Sequence, residues 1–203
     1  MTAARGRADT DTATRILDVA ERLAQVRGFN GFSYADIAAE LGITKAALHY
    51  HFAGKADLGE ALIGRYADRF GQALAALSAT EPTAAGKLRG YADLYLGVLR
   101  DHRMCLCGML AAEYPTLPDP MRASVVSFFD KNEEWLLSVL EQGHADGSLT
   151  FTGAARDTAR MIMGCLEGAL LVARPYGDIP RFQDVTASLL ASLTPATAER
   201  DCD

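Results

Sequence analysis

The sequence predicts an all-α fold in which an N-terminal three-helix head of the helix-turn-helix type is joined to a larger C-terminal helical body. Apolar residues recur at helical spacing along most of the 203 residues. Glycines and prolines divide the chain into about nine helix-length segments, and strand-like alternation is scarce. We place the head at residues 1–54, with residues 1–9 expected to be disordered, and the body at residues 55–203.

Composition narrows the class of protein. Hydrophobic residues make up 49% of the chain and charged residues 23%, which is typical of a soluble globular protein. No apolar run approaches the roughly 20 residues that a membrane span needs. The N-terminal stretch lacks the apolar core of a signal peptide, so we expect a cytoplasmic protein that does not bind membranes. The cysteines Cys105, Cys107, Cys165 and Cys202 are then expected to be free thiols.

The charge is unevenly distributed along the chain. The net charge is −6, yet residues 1–65 carry eight Lys or Arg and eight Asp or Glu. Residues 66–203 carry twelve and eighteen, so the excess of acid lies in the body. Residues 41–56 contain no acid at all. A locally basic segment on a neutral head favours contact with phosphates.

Three short helices are predicted in the head, at Thr10–Arg27, Tyr34–Glu40 and 44–51. Gly28 ends the first helix, whose apolar residues share one face. Ser33 is a favoured N-cap for the second helix, and Asp36 three residues later resembles a capping box. Thr44 caps the third helix. The next helix begins directly at Lys55, so no flexible linker is expected between head and body.

Six further helices are predicted in the body. We expect them at about Lys55–Ser78, Pro82–Asp101, Arg103–Tyr114, 120–144, Ala154–Ala173 and Arg181–Leu193. Pro175, Gly177 and Pro180 separate the last two helices. Both of these helices combine apolar residues with small ones, which lets helices approach one another closely.

The segment from Ser33 to His51 offers a helix, a tight turn containing Gly42, and a second helix. The outward side of the second helix carries Thr44, Lys45, Ala46, Ala47, His49, Tyr50 and His51. Lys45 lies at the positive end of the helix dipole, where a phosphate is favoured. A helix of this kind enters the major groove of DNA with its N-terminal residues first. The alternative is that His49, Tyr50 and His51 only cover the core of the head.

Residues 14–58 resemble the TetR family of bacterial transcriptional regulators. The matching residues are Arg15-Ile16-Leu17, Ala20, Leu23, Gly28-Phe29, Gly31-Phe32, Ser33, Asp36-Ile37-Ala38, Leu41-Gly42-Ile43, Phe52, Lys55 and Leu58. The resemblance implies a repressor that binds palindromic double-stranded operator DNA as a homodimer formed by the last two helices. It also implies release from DNA by a small-molecule effector bound in the body.

The resemblance further implies roles for individual residues. Phosphate contacts fall on Ser33, Tyr34, Thr44, Tyr50 or His51, and Lys55, and base contacts fall on Lys45, Ala46, Ala47 and His49. Two positions depart from the usual pattern of the family. Ala46 stands where glycine is common, and His49 stands where tyrosine is usual. The aromatic contact with a phosphate is therefore made by His49 or by a neighbouring residue.

An effector pocket between the body helices would be lined by aromatic and methionine side chains. The candidates are Tyr66, Phe70, Tyr91, Tyr95, Met104, Met109, Phe128, Phe129, Trp135 and Met163. Each of them also suits an ordinary core position. The set as a whole favours an apolar or aromatic effector.

The segment 101–118 brings together Cys105, Cys107, His102 and Arg103 at a predicted helix N-terminus. Nearby cations and a helix dipole favour the thiolate, which reacts with electrophiles and oxidants. The segment resembles family members that sense such compounds through a cysteine at the position of Cys105. Two alternatives remain: both cysteines are small buried hydrophobic residues, or they bind a metal with His102, joined by Cys165 or Glu113.

Enzymatic signatures are missing from the sequence. We find no Ser-His-Asp order, no glycine-rich phosphate loop and no His-Glu-x-x-His segment. We therefore expect no enzyme activity, no cofactor and no catalytic metal. The remaining alternative is an all-helical ligand-binding or metal- or redox-sensing protein that does not bind an operator.

Overall fold

The computed structural model describes the backbone of residues 2–195 and the side chains of residues 11–195. This part of the chain forms nine α-helices and one 3-10 turn, and it contains no strand, so the all-α prediction is confirmed. The helices are α1 (Thr2–Arg27), α2 (Tyr34–Leu41), α3 (Lys45–His51), α4 (Lys55–Thr80), α5 (Ala84–Arg100), α6 (Leu106–Ala112), α7 (Asp119–Ala145), α8 (Ala155–Tyr176) and α9 (Ile179–Leu193).

Local sequence signals fix the ends of the head helices. The backbone amide and hydroxyl of Ser33 both donate to the Asp36 carboxylate, at 2.8 and 2.6 Å, which holds the first turn of α2. Gly42 ends α2 in the left-handed conformation, with φ of 65°. The Thr44 hydroxyl accepts from the Ala47 amide and caps α3 as predicted.

Three predicted boundaries need correction. Helix α1 begins at Thr2 rather than near Thr10. The side chains of residues 1–9 lie outside the described part of the structure, so the disorder expected there stays a prediction. Helix α6 begins at Leu106 rather than Arg103. Helix α8 was expected to end at Ala173, before Pro175. It continues to Tyr176, and Pro175 lies in its last turn.

The chain divides into two compact units. Among the described residues, the first consists of residues 2–70 and 102–129, and the second of residues 71–101 and 130–195. The first unit therefore holds the predicted head together with the beginning of α4, all of α6 and the first part of α7. Buried residues on α1, α2 and α3, including Ile16, Ile37 and Leu48, form the core of the head.

Close helix packing in the first unit depends on a glycine. A methyl group built at Gly59 of α4 would overlap the Met121 side chain and approach the Phe29 ring to 2.9 Å. Any side chain at this position would therefore push Met121 and Phe29 out of place.

The second unit packs α5, α8 and α9 against one another. Its core contains the buried side chains of Tyr91, Tyr95 and Asn132, which are linked through their polar atoms at 3.2 and 3.3 Å. The Trp135 ring stacks on Tyr91 with ring centroids 5.6 Å apart. Among the described residues, no helix is long and apolar enough to cross a membrane.

Candidate DNA-binding face and cysteine site

Helix α3 presents one face to solvent. Leu48 is fully buried and fixes the orientation of the helix, since the other side must then point outward. The exposed residues of this face are Thr44, Lys45, Ala46, His49 and Tyr50, whereas Ala47 and His51 are half-buried. Tyr50 is 75% exposed, a high value for a large aromatic side chain. The Tyr50 side chain is therefore accessible to a partner at this face.

Tyr34 joins the start of α2 to the turn after α3. Its hydroxyl lies 2.7 Å from the Gly54 oxygen and 3.0 Å from the Phe52 oxygen. Burial raises the pKa of Tyr34 to about 12, and the nearby Asp57 charge adds to the shift. The hydroxyl proton is therefore held by backbone carbonyls, which makes Tyr34 a positioning residue for α3.

The His49 side chain is also held in place. Its ring lies against the Tyr34 ring with centroids 4.9 Å apart, and its Nδ1 is 3.0 Å from the Ala53 oxygen. A carbonyl oxygen only accepts hydrogen bonds, so we assign the hydrogen of the neutral ring to Nδ1. The Nε2 atom is then the acceptor of the neutral imidazole.

Lys55 was predicted to contact a phosphate, but its ammonium group has partners within the head. Its Nζ donates to the backbone oxygens of Phe29 and Phe32 and lies over both rings, 4.7 and 4.4 Å from their centroids. Burial lowers the pKa of Lys55, and the charges of Glu113 and Asp36 oppose this shift. This geometry gives Lys55 a positioning role, and its phosphate contact stays a prediction.

A groove of about 390 Å³ lies beside the exposed face of α3. It is lined by Phe32, Ser33, Tyr34, Ala35, Lys45, His49 and Lys55. Two lysines and no acid line this groove, and it adjoins the first turn of α2. A cleft of this charge and position suits an anion such as a DNA phosphate.

Cys105 is the N-cap residue of α6 and is 1% exposed. Its sulfur accepts hydrogen bonds from the Tyr66 hydroxyl at 3.6 Å and from the Gly108 amide at 3.5 Å. Hydrogen bonds donated to sulfur stabilise the thiolate form. Cys107 is fully buried, and Cys165 on α8 is half-buried. No disulfide joins these three described cysteines.

The basic residues beside Cys105 lie in a turn rather than in a helix. His102 is exposed and left-handed, with φ of 57°, which is uncommon for a residue other than glycine. Arg103 lines an open polar cleft of about 480 Å³ together with Asp18, Val19, Glu21, Arg22, Glu40, Arg65 and Arg69. The prediction of helical residues at 103–105 is therefore wrong.

The predicted effector-lining residues fall into two clusters. In the first unit, Tyr66, Phe70 and Phe128 have ring centroids 5.3 to 6.2 Å apart. In the second unit, Tyr91 contacts both Tyr95 and Trp135. Met109 and Met163 are half-buried. The effector pocket as a whole stays a prediction.

Two residues that the sequence analysis missed bind the cysteine-bearing segment to the end of α1. Gln25 bonds Met104 through both its backbone and its side chain. Glu113 was considered only as a metal ligand, whereas its carboxylate accepts hydrogen bonds from the Phe29 and Asn30 amides. No group of three or more metal-ligating side chains occurs among the described residues. These partners are about 80 residues apart in the chain, so no local sequence signal indicates them.

The last two helices carry an exposed apolar face. Its large residues are Met161, Leu171, Val172, Tyr176 and Val185. On α8, the exposed glycines Gly164 and Gly168 have open space where a side chain would begin. Several exposed apolar residues together with small ones on the same helices are typical of a protein–protein interface.

Sequence and structure comparisons agree with this arrangement. The family model described as "Bacterial regulatory proteins, tetR family" matches residues 16–62, and "Tetracyclin repressor-like, C-terminal domain" matches residues 84–189. The chain therefore belongs to the TetR family, and it is a transcriptional regulator rather than an enzyme.

Individual relatives support the assignment along most of the chain. A TetR-family regulator from Agrobacterium tumefaciens has a TM-score of 0.89 and 36% identity, covering 92% of this chain and 99% of that one. The HTH-type transcriptional repressor NemR of Escherichia coli K12 is 26% identical over 172 residues, 81% of this chain and 84% of that protein. The solved structure of E. coli NemR in its reduced form has a TM-score of 0.81 and 25% identity, covering 92% and 99%.

Proposed function

We propose that this protein is a repressor that binds an inverted-repeat operator as a homodimer and loses affinity for DNA when Cys105 is chemically modified. The observation that carries the first part is the exposed, acid-free face of α3 beside the groove at the start of α2. The hydrogen bonds that the Tyr66 hydroxyl and the Gly108 amide donate to the Cys105 sulfur support the second part.

The α3 face suits the major groove of DNA. Lys45 and His49 project from the exposed side, and the small side chain of Ala46 lets the helix approach base edges closely. We assign base contacts to Lys45, Ala46, Ala47 and His49. Phosphate contacts are assigned to Ser33, Tyr34, Thr44, Tyr50 or His51, and Lys55. Tyr34 and Lys55 also hold the face in position through their contacts with backbone oxygens.

Salt-dependent binding tests this assignment. A duplex is enriched from a randomised library by the protein, and its affinity is measured by fluorescence anisotropy between about 50 and 200 mM salt. Over this range, a protein that makes six to ten phosphate contacts loses about 10³- to 10⁵-fold in affinity. We expect log K to fall linearly with log salt. No enriched inverted repeat, or an affinity that is independent of salt, would overturn the proposal.

Dimerisation follows from the size of the head. One head covers one half-site, and successive major grooves on one side of the duplex are about 34–36 Å apart. Two heads must therefore be held together by the rest of the chain. The apolar face of α8 and α9, with Leu171, Val172 and Tyr176 exposed, supports a homodimer through these two helices.

Cys105 is the proposed chemical trigger. Its thiolate would attack the carbon–carbon double bond of an electrophile such as N-ethylmaleimide. The new S–C bond forms as the π bond breaks, and the resulting carbanion takes a proton from water. No oxidant is required. The similar E. coli NemR has been solved in a form named as reduced, which is consistent with a redox-active regulator.

Serine variants separate the two neighbouring thiols. N-ethylmaleimide should release the parent protein and Cys107→Ser from the enriched duplex, whereas Cys105→Ser should stay bound. Cys107 is an appropriate control because it is as deeply buried and only two residues away. Release of Cys105→Ser as readily as the parent would place the trigger elsewhere.

A further inference from the structure

The segment that carries both cysteines is held at each end by the C-terminal end of α1 and the loop that follows it. At one end, the Met104 amide donates to the Gln25 oxygen at 3.3 Å, and Gln25 Nε2 donates to the Met104 oxygen at 3.0 Å. At the other end, Glu113 binds Phe29 and Asn30. Cys105 and Cys107 lie between these two attachment points.

Glu113 makes the attachment nearest to the helix-turn-helix. Its Oε2 accepts from the Phe29 amide at 2.6 Å, and its Oε1 accepts from the Asn30 amide at 3.2 Å. The Asn30 side chain extends the contact by donating to the Thr116 hydroxyl at 2.8 Å. Gly28 has φ of +85°, and a methyl group there would lie 2.8 Å from Oε1. The loop therefore brings its amides and the carboxylate together only with glycine at this position.

The same loop is held on its carbonyl side by Lys55. The ammonium group binds the Phe29 and Phe32 oxygens, while Glu113 binds the Phe29 and Asn30 amides. Ser33, the first residue after this loop, caps α2. The position of α2 thus depends on two charged groups of opposite sign, one of which belongs to the cysteine-bearing segment.

We propose that Glu113 is the positioning residue through which the cysteine-bearing segment fixes the loop before the helix-turn-helix, and through which a change at Cys105 reaches the DNA-binding face. This inference rests on the proposed function and adds the route of its regulation. The route lies within the first compact unit.

The burial of Cys105 explains why its modification would displace Glu113. The sulfur is 1% exposed and has the Tyr66 hydroxyl at 3.6 Å, so an added group has no room without movement of the segment. The short helix α6 connects Cys105, its N-cap residue, to Glu113, its C-cap residue, so a shift of one end of the helix moves the other. Movement of α6 would therefore pull the carboxylate from the Phe29 and Asn30 amides.

Amide hydrogen exchange tests the first step directly. The full-length parent carries serine at positions 107, 165 and 202, so that N-ethylmaleimide modifies Cys105 alone. We expect modification to speed exchange of the Phe29 and Asn30 amides by about tenfold or more, since a lost hydrogen bond to a charged group opens the loop. Unchanged exchange at both amides would overturn the inference, whether or not DNA is released.

The response of DNA binding tests the second step. The ratio of Kd after modification to Kd before it is measured for this parent and for its Glu113→Gln variant. Gln keeps one acceptor and presents an NH₂ group to the second amide, so the loop is already released. We expect the unmodified variant to bind at least about fivefold more weakly, and its ratio to fall close to one. Glu60→Gln, on the exposed side of α4, controls for the lost charge and should keep the parent's ratio.

The outcomes distinguish this inference from the proposed function. If Glu113→Gln keeps the full ratio, the inference is overturned and the proposed function stands. A role in stability alone would weaken both forms equally and leave the ratio unchanged, which also overturns it. If the parent binds no duplex, the proposed function fails, and the exchange measurement still decides the inference. Should Glu113→Gln misfold, Thr116→Val removes the acceptor of Asn30 at an exposed site, and its ratio should fall part of the way.

Discussion

The Tyr66 hydroxyl donates a hydrogen bond to the Cys105 sulfur across 3.6 Å, and both side chains are buried. The two residues come from α4 and from the N-cap of α6, so tertiary structure alone brings them together. A hydroxyl aimed at sulfur favours the reactive thiolate over the thiol.

Replacing Tyr66 by phenylalanine should slow the reaction of Cys105 with N-ethylmaleimide. The ring shape is kept and only the donor is lost, so we expect a rate lower by about threefold to tenfold. The rate is measured at neutral pH by mass spectrometry of the peptide that contains Cys105. Tyr91→Phe, which removes a hydroxyl from the buried core of the second unit, should leave the rate unchanged. Equal rates for all three proteins would deny Tyr66 this role.

Replacement by methionine should affect different properties at Lys45 and Lys55: DNA binding at Lys45 and protein stability at Lys55. Lys55→Met removes the donor to Phe29 and Phe32 and should lower the free energy of unfolding by about 1–3 kcal/mol. Lys45→Met changes an exposed side chain and should alter stability by less than about 0.5 kcal/mol. It should instead lower the discrimination between the enriched duplex and a duplex with a changed base pair by about 1–3 kcal/mol, because Lys45 is assigned a base contact. Denaturant unfolding and anisotropy titrations measure the two effects, and a destabilised Lys45→Met would contradict this division.

A charge on the exposed face of α8 should separate the dimer. Val172 is 51% exposed, and Val172→Glu should yield folded monomers at micromolar concentration because the carboxylate would be buried in the interface. Light scattering coupled to size-exclusion chromatography measures the mass. Val126 on α7 is 45% exposed and provides a matched control, since Val126→Glu should remain dimeric. Dimers of both variants would exclude this part of α8 from the interface.

Asp36 should make the head less stable in acid. The Ser33 hydroxyl and amide lower the pKa of this carboxyl below its unfolded value of about 3.8. The contribution of ionised Asp36 to the free energy of unfolding is thus present above the unfolded pKa. It is lost as the pH falls through the lower pKa of the folded state. Asp36→Asn should flatten the dependence of thermal stability on pH between about 5 and 2. Asp68→Asn, an exposed change on α4, should keep the parent's slope, and an unchanged slope in Asp36→Asn would contradict the assignment.

Local signals were sufficient to predict most of the fold. Ser33, Gly42 and Thr44 end or begin helices through contacts within a few residues, and the structure confirms these caps. The exposed face of α3 also follows from periodicity, because one buried leucine orients a two-turn helix. Two predicted boundaries were wrong. Helix α6 starts only after Met104, which bonds Gln25, and Pro175 lies in the last turn of α8.

Contacts between distant residues could not be predicted in the same way. Lys55 follows a basic segment and was therefore expected to face DNA, but the carbonyls that it binds come from a loop more than twenty residues earlier. Glu113 lies 84 residues from Phe29, and an acid at the end of a short helix carries no signal of its partner. Side chains that bind backbone groups across the fold leave no periodic trace in a sequence.

The first compact unit is assembled from two stretches, 2–70 and 102–129, and this limits how its specificity can be transplanted. A cassette cut at residue 54 would contain α3 but would leave the Phe29 and Asn30 amides without Glu113, and the Phe29 and Phe32 oxygens without Lys55. Chimeras between regulators of this family that exchange operator preference should therefore carry both stretches from the same parent.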